Sequence, residues 1–86
     1  MPSAEFEAAA AAANAFTKKP TQDELLKLYG LFKQANVGDV NTERPGMMDF
    51  QGKYKWDAWK SEEGKSQEEA EAEYIAFVET LKPNYA

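Results

Sequence analysis

Neither cysteine nor histidine occurs among the 86 residues. Their absence removes disulfide frameworks, thiol nucleophiles, imidazole acid–base chemistry and the usual zinc sites. Long apolar runs are missing as well. Nothing approaches the ~18 residues needed to cross a bilayer, and the alanine-rich stretch from Ala8 to Ala13 is too short and lacks the basic flank of a signal peptide. The expectation is therefore a cytoplasmic protein without stable membrane insertion. The glycine-rich phosphate-loop and dinucleotide-binding signatures are also absent, so any phosphate has to be held by side chains.

What is present suffices for a folded core. Hydrophobic residues make up 43% and aromatic residues 13% of the chain, too many for a disordered tail. The length predicts one small domain over residues 1–86. A net charge of -5 argues against nucleic acid as a partner, because such binders carry a basic face. The charge is unevenly spread: residues 17–60 hold eight Lys/Arg against six Asp/Glu, and the two ends together hold two against nine.

Helical periodicity runs through four segments and predicts an all-α fold. From Ala4 to about Phe16, Phe6, Ala9, Ala10, Ala13 and Phe16 line one face behind an N-cap at Ser3. A break at Pro20 precedes the capping box Thr21-Gln22-Asp23-Glu24, from which helix should run to about Val37 and stop at Gly38. Residues 38–49 have turn-forming composition and no period, and a loop this long is often functional. A third helix is expected from Phe50 to Glu63, capped by Asp49, weakened at Gly52 and stopped at Gly64. The capping box Ser66-Gln67-Glu68-Glu69 opens a fourth, with Ala70, Tyr74, Phe77, Val78 and Leu81 on one stripe until Pro83.

The carboxylates do not form an acid–base pair. Glu62-Glu63 and Glu68-Glu69 read as solvated charges at helix ends, where the helix dipole favours acids near an N-terminus. The loop between Asp39 and Asp49 does not follow the alternating-oxygen spacing of a calcium-binding EF-hand. More informative is the interleaving of aromatic and basic residues. Tyr29 and Lys33 share a helix face beside Phe32; Lys55 lies between Tyr54 and Trp56, with Trp59 four residues beyond it. An ammonium beside a phenol can hold phosphate while a nearby ring stacks on a heterocycle. The same pattern fits a packed aromatic stripe along which Lys33 and Lys55 run their stems.

The stretch Pro20-Thr21-Gln22-Asp23-Glu24-Leu25, continuing through Leu28-Tyr29-Gly30-Leu31-Phe32-Lys33-Gln34-Ala35 to Val37-Gly38-Asp39, closely resembles the signature of the acyl-CoA-binding proteins. So do Arg44-Pro45-Gly46-Met47, Lys53, Lys55-Trp56-Asp57-Ala58-Trp59, Gly64-Lys65-Ser66 and Tyr74-Ile75, and the likeness runs collinearly from Phe6 to Tyr85. The resemblance implies a four-helix bundle of up-down-down-up topology that carries and buffers medium- to long-chain fatty acyl-CoA without a covalent step. It implies that Tyr29, Lys33 and Lys55 hold the ribose 3′-phosphate and that Phe32 and Tyr74 neighbour the adenine and ribose. Ala10, Asn14, Leu25, Leu26 and Trp56 fall on the implied pantetheine and acyl path. Two positions depart from the family: many members have Tyr where Phe32 stands, and Asn14 takes a place often held by Lys. A phenolic hydrogen bond and an auxiliary charge are thereby lost.

Single positions carry structural alternatives. Leu25, Leu28, Phe77 and Trp59 fit packing, Arg44 fits an ion pair, and Lys18 and Lys19 fit solvated charges. For the chain as a whole the rivals are a helical adaptor docking a partner's helix and a thioester hydrolase, the latter without a recognisable nucleophile system. The expectation is a monomeric carrier that is not an enzyme, with no cofactor and no metal. Contact with donor or acceptor membranes or with acyl-CoA-using enzymes would be transient.

Overall fold

Side-chain oxygens set where each helix begins. In the computed structural model, which describes residues 3–86, the elements are α1 (Ala4–Asn14), α2 (Gln22–Asn36), α3 (Phe50–Lys60) and α4 (Gln67–Tyr85). Ser3 accepts the Phe6 amide, Asp49 accepts the Gly52 amide, and full capping boxes open α2 at Thr21 and α4 at Ser66. All four caps agree with the sequence expectation. One helix stop agrees, Gly38 just beyond α2; Gly38 and Gly64 both sit at φ +97°, the left-handed region that glycine enters without penalty, but Gly64 closes the turn that follows α3 rather than the helix itself.

Three helix ends differ from the expected positions. Helix α1 ends at Asn14, and Phe16 packs against the core from beyond it. Helix α3 ends at Lys60 because the chain tightens into i→i+3 bonds, Glu62 N–H to the Trp59 carbonyl and Glu63 N–H to that of Lys60. Helix α4 runs through Pro83 to Tyr85. Proline deletes one donor there, yet the last turn is held by tertiary bonds. The Tyr85 carbonyl accepts the Thr17 and Lys18 amides, and the Tyr85 hydroxyl donates to Glu24 at 2.7 Å.

Paired residues fix the topology. Along α2 and α3, Gln22 neighbours Gln51, Tyr29 neighbours Lys55 and Gly30 neighbours Ala58, so the two run parallel. Ser3 with Glu71, Phe6 with Tyr74 and Phe16 with Tyr85 make α1 and α4 parallel as well. Glu24 with Tyr85, and Phe32 with Tyr74, set α2 antiparallel to α4. The result is the up-down-down-up bundle. Its core joins Phe6 of α1, Leu28 and Leu31 of α2, and Tyr74, Val78 and Leu81 of α4. Backbones approach closely at α2–α4, α2–α3 and α1–α4, whereas α1 and α2 meet through side chains such as Phe6 and Phe32. That separation leaves room for a surface concavity between them.

One buried acid corrects the sequence reading, and a buried amide adds a tie that it did not foresee. Glu62 is not a solvated helix-end charge: it is 2% exposed, and its carboxylate accepts from Lys27 of α2 at 2.8 Å and from Lys65. Gln34, also buried, donates to Asp39 at 2.9 Å and to the Lys65 carbonyl at 2.8 Å, tying α2 to the segment that precedes α4. Where α2 crosses α3, Gly30 lies so near that a Cβ there would stand 2.4 Å from the Ala58 carbonyl oxygen. The glycine sets the distance between the two helices that carry most of the functional candidates.

Candidate functional site

Two surface clefts meet on one face of α2. The first, about 260 Å³, is walled by Ala10, Ala13 and Asn14 of α1, by Leu25, Leu28, Tyr29 and Phe32 of α2, and by Tyr74 of α4. The second, about 300 Å³, lies between α2 and the start of α3 and is walled by Lys19, Gln22, Leu25, Leu26, Tyr29, Gln51 and Lys55. Leu25 and Tyr29 belong to both. Positions 22, 25, 26 and 29 follow the i, i+3, i+4, i+7 spacing of a single helical face, so α2 alone supplies a continuous floor.

Cationic groups gather at the junction. Lys55 Nζ stands 5.5 Å from the centre of the Tyr29 ring, and Lys33, one turn after Tyr29, places its Nζ 4.8 Å from the Trp59 ring. Trp59 is fixed in turn, since it is buried and its Nε1–H donates to the Gly38 carbonyl at 2.8 Å. Among the described residues, Lys19, Lys33 and Lys55 take part in no ion pair. Each therefore leaves its charge open to a bound anion. The attraction is local and survives the net charge of -5 because steering follows the nearby field.

The aromatic wall has a layered build. Phe32 is 39% exposed and stacks on the buried Phe6 at 5.7 Å with an interplanar angle of 29°. Tyr74 packs against both, 4.9 Å from Phe6 and 6.0 Å from Phe32, and burial pushes its hydroxyl pKa up. Phe6 thus supports a ring that offers its free face to the first cleft. A planar heterocycle can stack there, gaining the offset contact that aromatic faces favour.

Most of the residues singled out in the sequence come together here. Tyr29, Phe32, Tyr74, Ala10, Asn14 and Leu25 line the first cleft, and Leu26 and Lys55 line the second with Leu25 and Tyr29. Lys33 adjoins through Tyr29 without lining either. Trp56 also lines neither. Its Nε1–H donates to the Thr42 carbonyl at 2.9 Å, so its visible work is to pin the loop between α2 and α3. Arg44 pairs with Asp57 through two 2.9 Å hydrogen bonds and holds that carboxyl below its ordinary range. Lys19 is exposed, as its solvated reading requires, but it also borders the second cleft. Gln22 and Gln51 were missed. Each is unremarkable in sequence, and only the parallel run of α2 and α3 brings them together. Among the described residues no group of three or more acidic side chains could hold a metal ion.

A family model described as acyl CoA binding protein matches residues 3–78. An acyl-CoA-binding protein homolog of Drosophila melanogaster is 54% identical over 86 residues, a match covering 100% of each chain. The acyl-CoA-binding protein of Saccharomyces cerevisiae is 52% identical over 81 residues, 94% of this chain and 93% of its own. The structure is similar to the crystal structure of Oryza sativa acyl-CoA-binding protein 2, with a TM-score of 0.88 at 49% identity over 92% of this chain and 86% of that one. Against the solution structure of the yeast acyl coenzyme A binding protein the TM-score is 0.75 at 52% identity, covering 93% of each. Sequence, fold and a cationic, ring-lined double cleft converge: the chain belongs to the acyl-CoA-binding protein family.

Proposed function

We propose that residues 1–86 form one acyl-CoA-binding domain that takes up fatty acyl-CoA non-covalently and acts as an intracellular carrier and buffer of it. The observation that carries the reading is the meeting of both clefts at Tyr29, under the Lys55 ammonium and one turn from Lys33. A ligand with a phosphorylated nucleotide at one end and hydrocarbon at the other has use for both. The 3′-phosphate would accept from the Tyr29 hydroxyl and from the two ammonium groups, charge-assisted bonds stronger than neutral ones. Adenine and ribose would lie against Phe32 and Tyr74. Pantetheine and acyl chain would follow Ala10, Asn14, Leu25 and Leu26, with Trp56 holding the loop at the edge of that path.

The two ends contribute in different ways. Burying hydrocarbon is worth roughly 0.8 kcal/mol per CH₂ before ordering costs. Affinity therefore rises with acyl length until the groove is filled, which favours medium to long chains. The nucleotide end anchors the ester at the rim, and the shielded tail stays out of membranes. No step requires a nucleophile, and neither Cys nor His exists anywhere in the chain to supply one. We read the protein as a monomeric binding protein of the cytoplasm and not as an enzyme. Incubation with palmitoyl-CoA, following both complex formation and release of free CoA, tests this: uptake with the ester intact is expected, and turnover to CoA would overturn the carrier reading.

A further inference from the structure

Helices α2 and α3 exchange lysines and rings. Tyr29 and Lys33 stand four residues apart on α2, and Lys55 and Trp59 stand four apart on α3, so each helix offers one ring and one ammonium on a single face. Because the helices run parallel, each ammonium meets the ring of the other: Lys55 Nζ lies 5.5 Å from the centre of Tyr29, and Lys33 Nζ lies 4.8 Å from that of Trp59. The close crossing at Gly30 and Ala58 falls between the two pairs.

The two pairs are not equally free. Tyr29 lines both clefts and Lys55 is exposed, whereas Trp59 is buried and lines neither cleft. Its indole is held by the 2.8 Å bond from Nε1–H to the Gly38 carbonyl, and Gly38 is held in turn, its amide donating to the Gln34 carbonyl at 3.0 Å. Asp39, the next residue, accepts from Gln34 Nε2 and from the Gly64 amide, each at 2.9 Å. Lys33 therefore lies half-buried against a fixed ring, and among the described residues it takes part in no ion pair. An indole face attracts an ammonium through its quadrupole, more strongly than phenol or phenyl, and supplies no net negative charge. A carboxylate in that place would hold the lysine but cancel its charge.

From this we propose that Trp59 is a positioning residue for phosphate capture: it holds the Lys33 ammonium ordered and uncancelled one turn from Tyr29. A lysine on a free stem loses rotamer freedom when it closes on an anion, and a stem already restrained by the indole loses less, so affinity for the anion rises. Trp59 acts only through Lys33. The inference rests on the carrier function proposed above and assigns to Trp59 part of the preference for an ester that bears the 3′-phosphate.

The test is titration calorimetry of the full chain with palmitoyl-CoA and with its 3′-dephospho analogue. Trp59→Leu removes the ring face and should weaken palmitoyl-CoA binding about five-fold but the dephospho ester by less than about two-fold; Trp59→Phe keeps a weaker ring and should fall between it and wild type. In a Lys33→Ala background, Trp59→Leu should add less than about two-fold, since the side chain that the indole positions is gone. A general loosening of the fold would weaken both esters alike. Equal losses for the two, or the full loss from Trp59→Leu on top of Lys33→Ala, therefore overturns the proposal and leaves Trp59 a packing residue. If Trp59→Leu does not fold, Trp59→Phe carries the comparison, and an unaltered ratio of the two affinities overturns the proposal there as well. Wild type that binds neither ester would refute the carrier reading itself, whereas wild type whose preference for palmitoyl-CoA persists in the Trp59 variants refutes this inference alone.

Discussion

Lys55 Nζ stands 5.5 Å from the Tyr29 ring centre and so brings a charge from α3 onto a phenol of α2, at the point where both clefts meet. The pair exists because α2 and α3 run parallel and cross closely at Gly30. Helix geometry alone gives Tyr29 and Lys33 a common face; only tertiary packing adds Lys55.

Replacing Lys33 or Lys55 with Ala should weaken palmitoyl-CoA binding about ten-fold or more, since each removes a charge-assisted bond to phosphate. Thermal stability should change little, because neither lysine is ion-paired among the described residues. Titration calorimetry beside thermal melts checks both halves. Unchanged affinity in both variants would remove these lysines from the phosphate site.

Tyr29→Phe keeps the ring beneath Lys55 and deletes its hydroxyl. Affinity should fall for palmitoyl-CoA and stay constant for the ester lacking the 3′-phosphate, because only the former gives that hydroxyl a phosphate acceptor. Equal losses for the two ligands would place the hydroxyl elsewhere. At Phe32, truncation to Ala should cost about ten-fold in affinity through lost stacking, and Phe32→Tyr should retain binding.

Gly30→Ala should destabilise the fold by about 1–3 kcal/mol, because the added Cβ would lie 2.4 Å from the Ala58 carbonyl oxygen and must push α3 away. For a domain of this size each kcal/mol moves Tm by about 4–8 °C. Ligand affinity should fall with it, since the displaced helix carries Lys55 and Gln51. A melt and a titration on the same sample show both effects; an unaltered Tm would mean that the crossing is loose.

Burial pushes the Glu62 carboxyl up, but the hydrogen bonds from Lys27 and Lys65 outweigh it and hold the pKa below the ordinary 4.5. A lowered folded-state pKa stabilises the fold fully above about 4.5, and that contribution is lost as pH falls through the folded value. Glu62→Gln should cost about 1–3 kcal/mol at neutral pH, less than for a fully enclosed pair because Lys27 is half exposed. The gap from wild type should then shrink on acidification. Denaturant unfolding at a series of pH values measures this, and a constant gap would contradict the assignment.

How much of this was legible beforehand follows from the range of each interaction. Caps at Ser3, Thr21, Asp49 and Ser66 act over three residues, so the sequence reveals them. The fate of Pro83 depends on Thr17, Lys18 and Glu24, more than fifty residues away, and the local rule for proline therefore misplaces the end of α4. Glu62 looks like any helix-end acid until Lys27 of another helix reaches it. At the site, Tyr29, Phe32 and Lys33 share a helix and are visible together, whereas Gln22 and Gln51 are joined by topology alone. Lys55 stands out in the sequence as a lysine among aromatic residues and Tyr74 as part of the α4 stripe, but their assignment to one site with Tyr29 came from the family resemblance, which encodes the fold that periodicity does not.

The most direct test is calorimetric titration of the wild-type chain with palmitoyl-CoA, free CoA and palmitate. Tight one-to-one binding of the ester is expected, with each fragment far weaker because it fills only one end of the joined clefts. Failure of the folded protein to take up palmitoyl-CoA at micromolar concentration, or palmitate binding as well as its thioester, would contradict the account.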